Sequence, residues 1–200
     1  MGAVPGRLRI DDEGVARCWW CGDDPLYIAY HDTEWGRLLH DDDRWYEKMC
    51  LEGFQAGLAW ITILRKRENF RAAFAGFHID TVASFGPADV ERLLGDAGIV
   101  RHRGKIESTI NNAQRAIALR DEFGSIGAFM EHYRSPRAPG LSETDEIPPT
   151  SAESVAMSKA LRTRGWSFVG PTTMYAMMQS AGLVNDHVLG CHVFDEIVAG

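Results

Sequence analysis

Wherever apolar residues recur in this chain, they recur three and four apart. Ile106, Ile110, Ala113 and Ile117 follow one another at spacings of four, three and four, the stripe that an α-helix turns toward a core. Trp45 and Met49 repeat the period, as do Val90, Leu93 and Leu94. No run alternates apolar and polar residues over a strand's length, so no strand is expected. Pro87 stands where a helix starts and Gly98 where it stops, and Gly170-Pro171 opens another that runs through Met174, Met177 and Met178 to Gly182. Thr150 and Glu153 form a capping-box pattern. Further helices are expected from Asp42 or Asp43 to about Glu52, over Leu58 to Lys66, Asn69 to Phe77, Ile79 to Phe85 and Glu122 to Tyr133, with a loop from Ser135 to Pro149. The fold class is therefore all-α, with about eight helices.

Two hundred residues fit a single domain. Residues 1–16 read as a disordered leader and 17–200 as the folded unit. No run of apolar residues is long enough to span a membrane, and the first residues lack the apolar core of a signal peptide. A cytoplasmic protein without a membrane partner is expected. In that setting the four cysteines, Cys18, Cys21, Cys50 and Cys191, suit metal or free-thiol roles better than disulfides. The net charge of −7 argues against a non-specific nucleic-acid binder. Yet Arg65, Lys66, Arg67 and Arg71 form one basic cluster, and Arg101, Arg103 and Lys105 another. A local basic face on an acidic protein is compatible with this pattern.

Three constellations carry chemistry. The first is Glu52, which falls seven residues after Trp45 and three after Met49, and so shares their apolar stripe. Gly53 and Gly57 interrupt the helix right after it. A carboxylate there either sits at a frayed helix end and reaches water, or is buried and needs a partner. With Tyr27, Tyr30, Trp35 and Trp60 it would make a ring-walled cleft for a flat, electron-poor or cationic ring. The alternative is aromatic packing alone, the role expected of Trp45 and Trp166.

The second is Cys18 and His31 near one end of the chain with His187 and Cys191 near the other. Two thiolates and two imidazoles make a closed tetrahedral zinc set that would staple the two ends together. Cys21, in a Cys-x-x-Cys spacing with Cys18, competes for the N-terminal place, and His192 competes with His187. Free thiols and ordinary histidines remain the alternative. The third is the segment from Ala97 to Ile106, read as helix, glycine-bounded cationic hairpin, helix. Such a hairpin presents amides and cations to phosphates, or is simply a solvated turn.

Several long segments carry a resemblance. They are Asp24-Pro-Leu-Tyr-Ile-Ala-Tyr-His-Asp-Thr-Glu-Trp-Gly36, Cys50-Leu-Glu-Gly-Phe-Gln-Ala-Gly-Leu-Ala-Trp-Ile-Thr62, Arg65-Lys-Arg-Glu-Asn-Phe70, Asp96-Ala-Gly-Ile-Val-Arg-His-Arg-Gly-Lys-Ile106, Phe168-Val-Gly-Pro-Thr-Thr173 and Gly182-Leu-Val-Asn-Asp-His187. Through them residues 18 to 191 resemble the DNA-3-methyladenine glycosylase I family of the helix-hairpin-helix glycosylase superfamily. The resemblance implies a helical domain with zinc-joined termini. It implies a monofunctional hydrolase that flips 3-methyladenine out of alkylated double-stranded DNA, cleaves its N-glycosidic bond, releases the free base and leaves an abasic site.

Residue by residue, it makes Glu52 the catalytic and base-binding carboxylate, and Tyr27, Tyr30, Trp35 and Trp60 the base-pocket rings. It makes Cys18, His31, His187 and Cys191 the zinc ligands. Gly98, Arg101, Arg103, Gly104 and Lys105 become the DNA-backbone hairpin. Cys21, residues 1–16 and the absence of a Leu-Pro-Gly-Val-Gly hairpin depart from the wider pattern. The catalytic aspartate of most superfamily members has no counterpart here, as the family implies. A monomer is expected. The rival readings are a module that holds damaged DNA without cleaving it, and an enzyme acting on another modified base.

Overall fold

One helix, α2 (Asp42–Gln55), runs through the middle of the protein, and every residue from Trp45 to Phe54 is buried. The computed structural model describes residues 7–136, 139–142 and 145–199. Among them α2 packs against α3 (Trp60–Ala73), α6 (Arg103–Phe123), α7 (Ile126–Glu131) and α9 (Pro171–Ser180). A helix buried on all sides belongs at the centre of a helical domain. Its polar start still serves neighbours. Asp41 accepts the Arg44 amide at 3.1 Å as the cap. Asp42 accepts the Ile126 amide at 2.8 Å and Asp43 the Ile79 amide at 2.9 Å, which satisfies the first turns of α7 and of α4 (Ile79–Ala83).

The remaining helices are α1 (Pro25–Thr33), α5 (Pro87–Gly95), α8 (Ala152–Thr163) and α10 (Phe194–Ala199). The helical class is as expected, with several boundaries moved. Glu52 lies inside α2 rather than at a frayed end. Gly53 does not break the helix. An added Cβ there would meet the Phe168 side chain at 3.4 Å, so this glycine serves close packing. The runs expected at 58–66 and 69–77 form one helix, α3. It stops where Ala75, Gly76 and Phe77 take left-handed φ values of 51°, 68° and 59°. The α8 cap is Ser151 with Ser154, one residue later than the Thr150–Glu153 pattern. The helix expected over 122–133 is only α7, because Gly124, at φ 83°, ends α6 just before it.

The expected leader and the expected absence of strands both need correction. Residues 1–6 lie outside the described residues, but β1 (Leu8–Ile10) pairs antiparallel with β2 (Ala16–Cys18). Asp11 shapes the turn by accepting the Glu13 and Val15 amides. Strands of three residues are too short to show alternation. Near the other terminus, the His192 amide donates to the Ala16 carbonyl at 2.8 Å, and Val188 forms an isolated bridge with Leu141. A small apolar cluster of Cys18, Val188, Cys191 and Val193 thus joins the two ends of the fold, apart from the main core. Gly182, at φ +75°, makes another close junction: a Cβ there would lie 2.7 Å from the Gly36 carbonyl oxygen. Among the described residues, no helix is long and apolar enough to cross a membrane.

Candidate functional site

The expected rings and carboxylate come together in one pocket of about 220 Å³. Asp24 caps α1 by accepting the Leu26 amide, and Pro25 fits the first turn. The helix then carries Tyr27 and Tyr30 three residues apart on one face. Trp60, the first residue of α3, stands across from Tyr30 with ring centroids 5.5 Å apart. Trp35 follows α1 and completes the wall. Its packing partner is Trp20, which sequence reasoning missed. Trp20 lies 5.1 Å from Tyr27, 6.4 Å from Tyr30 and 4.9 Å from Trp35 between centroids, so it ties the rings together. Gln55, Gln179 and Ser180 supply polar lining that was also missed. Gln55 was within reach, being three residues after Glu52 on the same helix. Ser180 was not, since α9 is distant in sequence.

Glu52 is 4% exposed. Its Oε1 accepts the Ser180 hydroxyl at 3.1 Å. Burial pushes its carboxyl up to about 7, opposed first by the charge of Lys48 and then by the Ser180 hydrogen bond. Burial likewise pushes the Tyr27 phenol up to about 12 and raises Tyr30 well above its ordinary value. The tyrosines are therefore neutral, and Glu52 is the titratable group of the pocket. The site combines large ring faces with one acid poised between its two protonation states.

Beside the pocket, Cys18, His31, His187 and Cys191 are buried with their ligand atoms all within 4.8 Å of one another. Three sulfur–nitrogen distances are 3.5–3.6 Å. Ligands on a tetrahedral zinc ion are separated by about 3.6 Å, given the usual zinc–sulfur and zinc–nitrogen lengths. The outer atoms fit as well. Nδ1 of His31 faces Asp32 Oδ1 at 2.7 Å, leaving Nε2 toward the cysteines, and Nε2 of His187 faces the Trp35 carbonyl at 3.3 Å. Such partners orient imidazoles for coordination. Cys21 turns away and donates its thiol to the Cys18 carbonyl. His192 reaches Asp32 from outside the cluster. His187 and Cys191 flank the turn at Leu189 and Gly190, outside any helix.

The two basic clusters are largely committed to internal contacts. Arg67 makes a two-pronged pair with Glu34 at 2.6 and 2.9 Å, and Arg71 and Arg44 share Glu47. Arg65 pairs with Asp24. Lys66 donates to the Gly98 carbonyl at 3.0 Å, which anchors the turn between α5 and α6. In that turn Gly98 packs against Asp96 and Asn69 so closely that a Cβ would lie 2.9 Å from Asp96. Lys105 is not a solvent-facing cation. Its ammonium is buried and donates to the carbonyls of Phe54 and Ala56, capping α2. Arg103 pairs with Glu91 and Glu107. Arg101 is exposed, and Gly104 lies in the first turn of α6.

The pH dependence of stability follows from Glu52. Its pKa is raised from the ordinary 4.5 to about 7 on folding, so the folded state holds a proton that the unfolded state releases. That contribution is fully present below 4.5 and lost as pH rises through 7. Glu52→Gln removes it, so the variant should gain stability over the parent between pH 5 and pH 8, by about 3 kcal/mol at most. Denaturant melts at the two pH values measure this; a constant difference would mean that Glu52 ionises as freely as in water.

Comparison with known proteins accords with this geometry. The model of the methyladenine glycosylase family matches residues 20–194. DNA-3-methyladenine glycosylase 1 of Escherichia coli strain K12 is 50% identical over 182 residues, covering 88% of this chain and 96% of that protein. A crystal structure of 3-methyladenine DNA glycosylase I superposes with a TM-score of 0.83 at 47% identity, covering 88% of this chain and 98% of the other. A tyrosine-to-phenylalanine variant of 3-methyladenine DNA glycosylase I, solved in complex with 3-methyladenine, superposes with a TM-score of 0.84 at 30% identity, covering 89% and 97%. With a buried acid among packed rings, in a helical frame shared over almost its whole length with these proteins, the chain belongs to the methyladenine glycosylase family.

Proposed function

We propose that this protein is a monofunctional base-excision repair glycosylase that removes 3-methyladenine from alkylated double-stranded DNA. The observation that carries the reading is Glu52, a buried carboxylate among Tyr27, Tyr30, Trp35 and Trp60. Adenine methylated at N3 is cationic while it is bonded to the sugar. Ring faces and a carboxylate favour a cation over neutral adenine. The approaching cation also holds Glu52 in its ionised form, so recognition of the charge and ionisation of the acid reinforce each other. Glu52 then accepts a hydrogen bond from the exocyclic amine.

The chemistry needs little acid–base assistance, because the base departs neutral and no proton must be supplied to it. Extrusion costs a few kcal/mol of stacking, returned by the rings of the pocket. Holding the cation alone would not speed bond breaking, since the positive charge shifts to the sugar as the base leaves. The same carboxylate remains close to that developing charge. Water captures the sugar cation and leaves an abasic site. DNA backbone contact is assigned to Arg101 and the first-turn amides of α6 at Arg103 and Gly104, as a helix-hairpin-helix would use them, while Gly98, whose amide donates to Asp96 and whose carbonyl accepts from Lys66, shapes the turn that presents them. Cys18, His31, His187 and Cys191 would hold a zinc ion that supplies only a cross-link, since four protein ligands leave no open position. Through the His187 contact with the Trp35 backbone, that cross-link would steady one wall of the pocket.

Glu52→Gln should lower excision of 3-methyladenine from alkylated DNA by about ten- to hundredfold, the loss of one charge-assisted hydrogen bond. Parent-like excision by that variant would remove Glu52 from the reaction, and failure of the parent to release the base would favour a module that only holds damaged DNA. Elemental analysis should find about one zinc ion per chain, and Cys191→Ala should abolish it together with a fall in the thermal midpoint. A metal-free preparation of parental stability would defeat that assignment. Arg101→Ala should reduce the slope of log affinity against log salt by about 0.9, whereas Lys105→Met should leave the slope alone and destabilise the fold. The opposite pattern would move the phosphate contact to Lys105.

A further inference from the structure

Lys48 is a second buried charge that the pocket chemistry described so far does not use. It lies one helical turn before Glu52 on α2 and is 9% exposed. Its Nζ donates to the Tyr30 hydroxyl at 3.2 Å and lies 4.8 Å from the Tyr30 ring centroid and 5.4 Å from that of Trp60. No carboxylate forms an ion pair with it among the described residues. Tyr30 and Glu52 line the ring-walled pocket, whereas Lys48 lines a second cleft of about 270 Å³ that shares Trp60 with it. The aromatic wall therefore has an ammonium on one side and a carboxylate on the other. Residues four apart on a helix are neighbours, so the wall separates two opposite charges that lie within range of each other.

We propose that Lys48 is a positioning residue of the excision reaction, whose ammonium behind Tyr30 and Trp60 favours the carboxylate form of Glu52 over the neutral acid and fixes the Tyr30 hydroxyl as an acceptor on that side. The proposal rests on the reading of Glu52 as the base-binding carboxylate. Its electrostatic basis is mutual. Burial drives Glu52 toward its neutral form and Lys48 toward its own, and each is the leading opposing charge for the other. The other groups facing Glu52 are the neutral phenols of Tyr27 and Tyr30 from α1 and the Ser180 hydroxyl from α9. Glu34, Arg67 and Glu47 also act on Lys48, and all three are already engaged in pairs, Glu34 with Arg67 and Glu47 with Arg71. With Tyr30 accepting from Lys48, the phenolic proton is left to donate elsewhere.

The test is the pH profile of kcat/KM for 3-methyladenine excision from alkylated duplex DNA, between about pH 5.5 and pH 9. The parent is compared with Lys48→Met, Lys48→Gln, Lys48→Arg and Glu52→Gln, with thermal melts of each. Loss of the charge in the Met and Gln variants should move the acid limb upward by about one unit or more. Activity at pH 7 then falls about fivefold or more and recovers toward pH 9. Gln still offers a donor to Tyr30, so a shift there assigns the effect to charge, and Arg should retain the parental limb. An unmoved limb in both neutral variants, with Glu52→Gln still slow, overturns the role of Lys48 and leaves that of Glu52 intact. Parental activity in Glu52→Gln overturns the underlying reading instead. If both neutral variants fail to fold while Arg folds, Lys48 is structural and the proposal fails.

Discussion

A carboxylate taken out of water must be compensated, and the centre of this protein is arranged around one that is compensated only in part. Among the described residues Glu52 has a single hydrogen bond, from Ser180. Its nearest opposing charge lies behind an aromatic wall. Full pairing would have made an inert structural ion pair of the kind that Arg67 and Glu34 form nearby. Incomplete pairing leaves an acid with unspent capacity for a cationic partner, at some cost to the stability of the unliganded fold. The enclosure of α2 on every side makes that cost bearable. The helix bearing Glu52 is fixed by the main core of the domain and has little freedom to swing the acid into solvent.

The same logic extends to the chain ends. The first strands and the last turn contribute little apolar surface of their own, and their small cluster is separate from the main core. Backbone pairing joins them, through the hydrogen bond from His192 to Ala16, and beside it lies the set of two thiols and two imidazoles, with Asp32 and the Trp35 carbonyl as outer partners. His31 is next to Tyr30, and His187 touches the backbone of Trp35. The proposed zinc cross-link would thus also brace two of the pocket rings. Trp20, two residues beyond Cys18, sits among Tyr27, Tyr30 and Trp35 and joins the brace to the wall.

Lys105 and Lys66 show how charge can mislead when it is counted rather than placed. Both belong to basic clusters, and both donate to backbone carbonyls. Lys105 satisfies the end of α2 just beyond Glu52, where helix carbonyls have no intrahelical partner. Lys66 holds the turn that precedes α6. The basic clusters therefore build the frame that presents Arg101 and the first turn of α6, rather than forming a broad cationic surface. An acidic protein can in this way offer a confined site to phosphates.

By itself the sequence determined the helical class, because apolar spacing of three and four encodes a buried helix face without reference to any partner. It also determined that Glu52 shares a stripe with Trp45 and Met49, and that Tyr27 and Tyr30 share a face, since both follow from helical geometry alone. The motifs at Cys18, His31, His187 and Cys191 were legible as a set because zinc chemistry restricts donor types. Only the tertiary structure decided which side chain meets which. Ser180 beside Glu52, Trp20 among the rings and Lys48 behind Tyr30 are partners from different elements or opposite faces. The β1–β2 hairpin was hidden because three-residue strands are stabilised by pairing, not by their own pattern. A helical period fixes the direction in which a side chain leaves the backbone. The charge, ring or carbonyl waiting there is set by packing between segments far apart in the chain, and in this protein that packing makes the difference between a solvated carboxylate and a poised one.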